Sequence, residues 1–371
     1  MNRKVIVCVT NDLTTDQRVH KTCTVLKSLG FEVLLYGRIL NNSLSLSRNY
    51  STLRIKHFFN SGPLFYAEFN IRLFFFLLFN RFNLVFSNDL DTLMAAFLAS
   101  KCKRKKIIYD THEYFTETPE LVNRPFVQNI WKAIENFIFP KLIYIITVNN
   151  SIAALYAEKF AKKIQVVRNI PMSFDVPNIK SRVELGLPID KKIIILQGSG
   201  INIQRGAEEA VEAMKQIENS VLLIAGAGDV IDFLKKYVID NKLDEKVIFK
   251  SKMPYEDLLQ YTANSDLGLA IDKNTNINYQ FSLPNKLFDY IHAGIPVLAS
   301  NLVELKNIID EFDVGYFIDN HDPEHIAKKI NEIFSNEVTY LTKKGNTKRA
   351  KKELCWENES KKLSAIISKS L

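Results

Sequence analysis

The feature that most limits what this chain can fold into is an alternation of short apolar runs with helical stretches, interrupted once near the middle. "KVIVCV" (residues 4–9) is followed by a helical stretch from Asp16, a good N-cap, to Leu29, closed by Gly30, and then by "FEVLLYG" (31–37). "LVF" (84–86), "KIIYD" (106–110), "LIYIITV" (142–148) and "IQVVRN" (164–169) continue the series with helical segments between them. Strands this short and this apolar must be buried on both faces. That is the condition of a parallel sheet covered by helices on each side.

The pattern stops over residues 171–190, which carry Pro171, Pro177 and Pro188 and no sustained period. It then restarts with "KIIILQG" (192–198), "SVLLIAG" (220–226), "KVIFKS" (246–251), "DLGLAI" (266–271) and "PVLAS" (296–300), again with helices between. A chain of 371 residues exceeds what one core organises. The expected fold is therefore α/β, with Rossmann-like domains over residues 1–170 and 191–371 and a linker over 171–190. Helical stretches at 323–335 and about 347–369 follow, the last able to pack back on the N-terminal domain. Ligands of such sheets bind beyond the carboxyl ends of the strands, so a cleft between the two sheets is expected to hold the site.

Composition narrows the class. At 47% hydrophobic and 24% charged, the chain is neither disordered nor fibrous. Cys8, Cys23, Cys102 and Cys355 lack CxxC or histidine-partner spacing, which argues against a disulfide framework or zinc site and suits a reducing, cytoplasmic setting. "MNRKVIVCVTNDL" reads as a strand rather than a secretory signal. The most apolar stretch, residues 71–86, is interrupted by Arg72, Asn80, Arg81 and Asn83, short of the roughly 20 apolar residues a span needs. A net charge of +8 implies an anionic partner. Nucleic acid, an anionic lipid surface and a phosphorylated small molecule are the candidates; the run "KCKRKK" (101–106) reads as a solvated charged face, and the mixed basic and aromatic residues over 54–86 as either a membrane contact or a core helix. No nucleic-acid-binding module is recognisable.

Candidate chemistry sits after strands. In "GSGINIQRGAEEAVEAM" (198–214), Gly198, Gly200 and Gly206 let backbone amides approach an anion, and Arg205 adds positive charge just ahead of a helix. The loop is neither a Walker A sequence nor a complete GxGxxG, because Gln204 stands where the third glycine belongs; a tight turn with a surface arginine is the plain alternative. "AGAGD" (225–229) repeats the arrangement, with Asp229 as an expected helix cap.

In "SLPNKLFDYIHAGIPVLAS" (282–300), Ser282 is expected to cap a helix with Pro284 in its first turn, so that the amides of Asn285, Lys286 and Leu287 face an anion at the positive end of the dipole. Asp289, wedged between Phe288 and Tyr290, is then placed to accept from hydroxyls of a ribose. In the first half, "YDTHEYFTE" puts Asp110, His112, Glu113 and Glu117 at a strand end, where a histidine titrating near neutrality can donate to a sugar hydroxyl or a developing oxyanion. "FSNDLDT" offers Asn88, Asp89 and Asp91, and "TNDLTTDQRVHK" offers Asp16, Arg18 and His20 as further lining residues. The spacing around His112 does not suit HExxH, since Thr116 occupies the second histidine's place, and no metal site is expected.

Taken in order, these segments resemble family-4 retaining glycosyltransferases of the GT-B fold, of bacterial surface polysaccharide type, over nearly the whole chain. The resemblance implies a nucleoside-diphosphate sugar as donor, no required cofactor, and a saccharide or lipid-linked saccharide as acceptor. It makes 1–170 the acceptor-binding domain and 191–371 the nucleotide-sugar-binding domain of a cytoplasmic protein, and the aromatic and basic strip over 54–86 suggests a lipid-linked acceptor at the inner face of the cytoplasmic membrane. Arg205 and Gly206 match the family's basic-Gly pair, and His112 matches the histidine that contacts the donor sugar. Asp289 matches the second glutamate of the Glu-x7-Glu motif, with Asn285 to Leu287 beneath the diphosphate.

Two departures stand out. Phe281 occupies the first glutamate's place, and Ser199 follows Gly198 where the family carries a further basic residue, a loss Lys286 can make good. A nucleotide-sugar 2-epimerase and a non-catalytic partner subunit are the alternatives that the Phe281 departure and the shared architecture leave open.

Overall fold

The computed structural model describes residues 3–14, 16–41, 43–173 and 178–370. The chain divides into two compact units, Met1–Asn169 with Glu357–Leu371, and Ile170–Trp356.

In the first unit the strands are β1 (Arg3–Cys8), β2 (Phe31–Arg38), β3 (Ser51–Ile55), β4 (Leu84–Asn88), β5 (Lys106–Thr111), β6 (Tyr144–Thr147) and β7 (Gln165–Val166). They lie in the order β3-β2-β1-β4-β5-β6-β7, every described pair parallel. Strand order reverses between β1 and β4, which opens a crevice at their carboxyl ends. The helix Gln17–Ser28 begins where Asp16 accepts from Val19 N, as the sequence leads one to expect. β3 has no counterpart in the sequence reading, because "STLRI" mixes polar and apolar residues at an edge where one face stays partly wet.

The apolar stretch at 71–86 is not one element. The helix Gly62–Phe79 ends at Asn80, and β4 starts at Leu84. By length and composition alone this helix could cross a membrane. Its Phe65, Phe69, Leu73 and Leu77 are nevertheless packed with Ile6, Tyr36 and Val85 in the core of the unit.

The second unit holds β8 (Lys192–Gly198), β9 (Ser220–Gly226), β10 (Val247–Ser251), β11 (Leu267–Ala270), β12 (Val297–Ser300) and β13 (Gly315–Ile318), in the parallel order β10-β9-β8-β11-β12-β13. Alternate residues of its central strands serve opposite faces, the period-2 signature of a covered sheet. Ile194, Leu196, Leu222 and Ile224 join one core with the helices Ala207–Ala213 and Pro323–Ser335. Ile193, Ile195, Val221 and Leu223 join the other with Asn285–Ala293 and Val303–Phe312. Each such side chain contributes about 1.5–3 kcal/mol on burial.

Two boundaries differ from the sequence reading. Residues 174–177 of the expected linker, Pro177 among them, lie outside the described residues. Residues 178–190 are part of the second unit rather than a free connector: Leu185 and Leu187 enter its core, and Arg182 binds Asn264 O, Lys191 O and Asp266. The stretch at 347–369 is two helices, Glu337–Glu353 and Trp356–Lys369. Residues of the latter belong to the first unit, where Glu359 receives Arg168 and Lys369 O receives the Tyr144 hydroxyl. A contact between residues so far apart in sequence leaves no trace in local periodicity.

Candidate functional site

Two loops meet at the carboxyl ends of β8 and β11, where strand order in the second sheet reverses. The loop after β8 is tied to the loop after β9 by Ile201 N to Ala227 O (2.9 Å) and by Ile203 N to Asp229 Oδ1 (3.0 Å). Asp229 therefore links loops; the helix Ile231–Asp240 starts from Val230 without a side-chain cap. Gln204 adopts φ +69°, the left-handed conformation the absent third glycine would supply. Its carbonyl accepts from Lys273 N and its side chain from Thr275, which joins the β8 loop to the β11 loop. Gly206, at φ +78°, has no room for a Cβ beside Ile271. A Cβ on Gly198 or Gly200 would meet nothing nearer than ordinary van der Waals contact, at 3.7–3.9 Å.

Arg205 lies over the Tyr279 ring, 4.5 Å from guanidinium carbon to ring centre, and its Nη1 is 3.7 Å from Asp272 Oδ1. Lys286 Nζ is 3.5 Å from the same oxygen. Two cations distant in sequence thus converge on one point. Lys286 opens the helix Asn285–Ala293, whose N-cap is Pro284; Ser282 does not cap it. Leu287 N is returned to Pro284 O and its side chain is in the core, so the helix presents the amides of Asn285 and Lys286 rather than all three expected.

Asp289, 7% exposed, accepts from Gln197 Nε2 (3.0 Å) on Oδ2 and from the Tyr255 hydroxyl (2.6 Å) on Oδ1. Burial and the neighbouring carboxylate push the Tyr255 phenol up, so it remains a donor. Asp289 is thus held in place by the end of β8 and the helix Tyr255–Ala263, and its carboxylate oxygens, with two lone pairs each, are acceptors only.

In the first unit, His112 follows β5. Its backbone N donates to Asp89 Oδ1 (2.8 Å), its Nδ1 is 3.2 Å from Asp89 Oδ2, and its Nε2, 3.6 Å from Asp110 Oδ2, makes no hydrogen bond. Burial disfavours the imidazolium, but Asp89 and Asp110 outweigh it and raise the pKa to about 9. His112 is therefore a cationic donor at neutral pH, not a group titrating near it. Asp89 adopts φ +58° and does not cap the helix Leu90–Lys103 with its side chain.

Other expected lining residues are placed differently. Arg18 is buried, clamping Asp110 with both Nε (3.0 Å) and Nη2 (2.6 Å) and donating to Val167 O. Burial would raise the Asp110 pKa, yet Arg18 and His112 hold it at about 2. Asn88 is also buried and donates to Cys8 O. Asp16 is a helix cap, His20 faces the Tyr50 hydroxyl at 2.8 Å, and Glu113 is exposed. Arg18 and Asn88 thus support the crevice from within. Asp91 accepts from Thr10 across β1 and β4, and burial together with Asp89 pushes it up to about 7.

Asp272, Gln197 and Tyr255 were not foreseen. Asp272 obeys the rule that pointed to Asp110, since it follows a buried parallel strand; nothing local marks the other two.

Residues 16–170 match the Glycosyltransferase Family 4 model and residues 179–353 the Glycosyl transferases group 1 model. The chain belongs to the family-4 glycosyltransferases. An uncharacterised glycosyltransferase of Methanocaldococcus jannaschii is 25% identical over 205 residues, 52% of this chain and 51% of that protein, so the chain spans about half the length of the curated relative it matches. Sucrose-phosphate synthase from Thermosynechococcus elongatus superposes with a TM-score of 0.80 at 16% identity over 99% of each chain. Anabaena HepE, in complex with UDP-glucose, gives 0.74 at 14% identity, again over 99% of each. These likenesses establish the GT-B class of this family-4 glycosyltransferase.

Proposed function

We propose that this family-4 glycosyltransferase is a retaining enzyme that moves a sugar from a nucleoside-diphosphate sugar to a saccharide or lipid-linked saccharide acceptor in surface polysaccharide synthesis. The observation that carries the proposal is the convergence of Arg205 and Lys286 within the unit that also presents the open amides of Asn285 and Lys286. As the bond from sugar C1 to the β-phosphate oxygen breaks, its electron pair goes to the diphosphate. Negative charge grows there, and fixed cations and amide dipoles stabilise it in place. The acceptor hydroxyl forms the new bond to C1 and passes its proton to a departing phosphate oxygen. Asp289 accepts from the ribose, and His112 is assigned to the donor sugar. Lys286 takes over the charge missing beside Gly198, and the UDP-glucose complex of HepE supports a nucleotide sugar as donor.

The acceptor end of the proposal rests on the helix Gly62–Phe79. Opposite its buried face, Leu64, Ile71, Phe75 and Phe79 are exposed, and Phe75 and Phe79 stack. Lys103 donates to the carbonyls of Leu77, Leu78 and Asn80, which brings the exposed Lys101, Arg104, Lys105 and Lys106 beside that helix end. An apolar strip flanked by cations suits the anionic inner face of a cytoplasmic membrane.

A thermal-shift series with UDP, GDP, ADP and their sugars tests the donor assignment, since a ligand bound by the folded state raises Tm. One nucleotide diphosphate is expected to stabilise the protein; no shift with any of them overturns the proposal.

A further inference from the structure

Asp272 lies just past β11 with no exposed surface, and neither of its carboxylate oxygens receives a hydrogen bond. A buried carboxylate in that state is costly unless its charge is matched. What matches it is Arg205 at 3.7 Å and Lys286 at 3.5 Å, both on Oδ1. These separations exceed the roughly 2.7–2.9 Å of a locked charge-assisted bond. Among the described residues neither cation pairs with another carboxylate, and Arg205 Nε is itself buried without an acceptor.

We infer that Asp272 is a positioning residue: a resident counter-anion that gathers Arg205 and Lys286 to one point in the empty protein and yields them to the pyrophosphate of the incoming nucleotide. The inference rests on the donor site proposed above and deepens it. Asp272 offsets one of the two positive charges, so the empty site stays attractive to a polyanion while the cations are spared a bare mutual repulsion. It is completely buried, whereas Arg205 and Lys286 retain some exposure, so the carboxylate stands behind the cations rather than in the ligand's path. Loop contacts brace the arrangement, with Lys273 N on Gln204 O and the Tyr279 ring beneath the guanidinium.

The consequence is opposite in sign to that of an ordinary binding residue. Asp272→Asn leaves two cations facing each other without an anion when the site is empty, and pyrophosphate supplies one. Binding and stability are linked, so the variant is expected to melt below wild type when empty, bind inorganic pyrophosphate roughly tenfold more tightly, and regain most of the Tm difference at saturation. In Asp272→Asn/Lys286→Met the repulsion is gone. That variant is expected to melt near wild type and to lose the tightening, which keeps the question decidable if the single variant folds poorly.

Calorimetry with inorganic pyrophosphate and with UDP, GDP and ADP, alongside melting curves, separates the outcomes. Unchanged or weaker pyrophosphate affinity in Asp272→Asn, or a double variant no more stable than the single one, overturns the counter-anion role while leaving the donor site standing. Wild-type protein that binds neither pyrophosphate nor any nucleotide overturns the donor site, and this inference with it.

Discussion

The Tyr290 ring lies where a side chain on Gly268 would be: a Cβ there falls 2.7 Å from Cε2 and closer still to Cγ and Cδ2. The vacancy lets the Tyr290 hydroxyl reach Ile195 O on β8 and Leu269 O on β11, both at 3.2 Å, and accept from Gln197 N. One phenol thus bridges the two strands where the second sheet divides, directly beneath the loops that carry Arg205 and Asp272.

Gly268→Ala is accordingly expected to destabilise the second unit by about 2–4 kcal/mol, since neither a strand backbone nor a ring held by three hydrogen bonds yields easily. Tyr290→Phe keeps the ring and removes only the bridge, at about 1–3 kcal/mol. Urea titrations of both variants provide the comparison; a Gly268→Ala protein as stable as wild type contradicts the wedge.

His112 makes stability depend on alkaline pH. Its folded pKa, about 9, lies above the ordinary 6.5, so its contribution is fully present below about pH 6.5 and is lost as pH rises through 9. The melting temperature of wild type relative to His112→Gln should therefore fall between pH 6.5 and 9.5. A difference that stays flat over that range shows that Asp89 and Asp110 do not hold the imidazolium.

Removing Arg205 should cost binding without unfolding the protein, because its head group is partly exposed and Lys286 still faces the buried Asp272. Arg205→Ala is expected to weaken nucleotide diphosphate binding about 10- to 100-fold, the scale of one charged hydrogen bond. Lys286→Ala should act in the same direction. Calorimetric affinities equal to wild type in both variants would remove the pyrophosphate from this site.

Membrane contact predicts two separable losses. Phe75→Ser/Phe79→Ser should reduce binding to anionic liposomes at all salt concentrations. Neutralising Lys101, Arg104, Lys105 and Lys106 should reduce it chiefly at low salt, where about 1 kcal/mol per cation is at stake. Sedimentation with phosphatidylserine vesicles reads both; wild-type protein that stays in the supernatant at low salt ends the membrane assignment.

Much of the fold was legible because its signals are local. β8 and β9 announce themselves as β-branched runs, Asp16 as a cap, and Gly294 as the end of its helix, with φ +79°. The glycine loop after β8 and the Pro-Asn-Lys helix start marked the proposed donor region for the same reason, since turn chemistry is written in adjacent residues. Asp289 could be named, but its partners Gln197 and Tyr255 could not: they come from other elements and carry no pattern of their own. Arg18 shows the reverse error. A cation one turn into a helix after β1 reads as a lining residue until Asp110, brought over by β5, takes its Nε and Nη2 and Val167 O takes its Nη1.

By itself, then, the amino-acid order determined two covered parallel sheets, the family likeness, and which loops carry the turn chemistry on which the proposed donor site rests. Only tertiary structure decided that Arg205 and Lys286 share one carboxylate, that His112 is held as a cation, and that the last helix returns to the first unit. The division has a physical origin. Backbone conformation answers to neighbours a few residues away, whereas charges act through space, on whatever groups the sheet brings within a few ångströms.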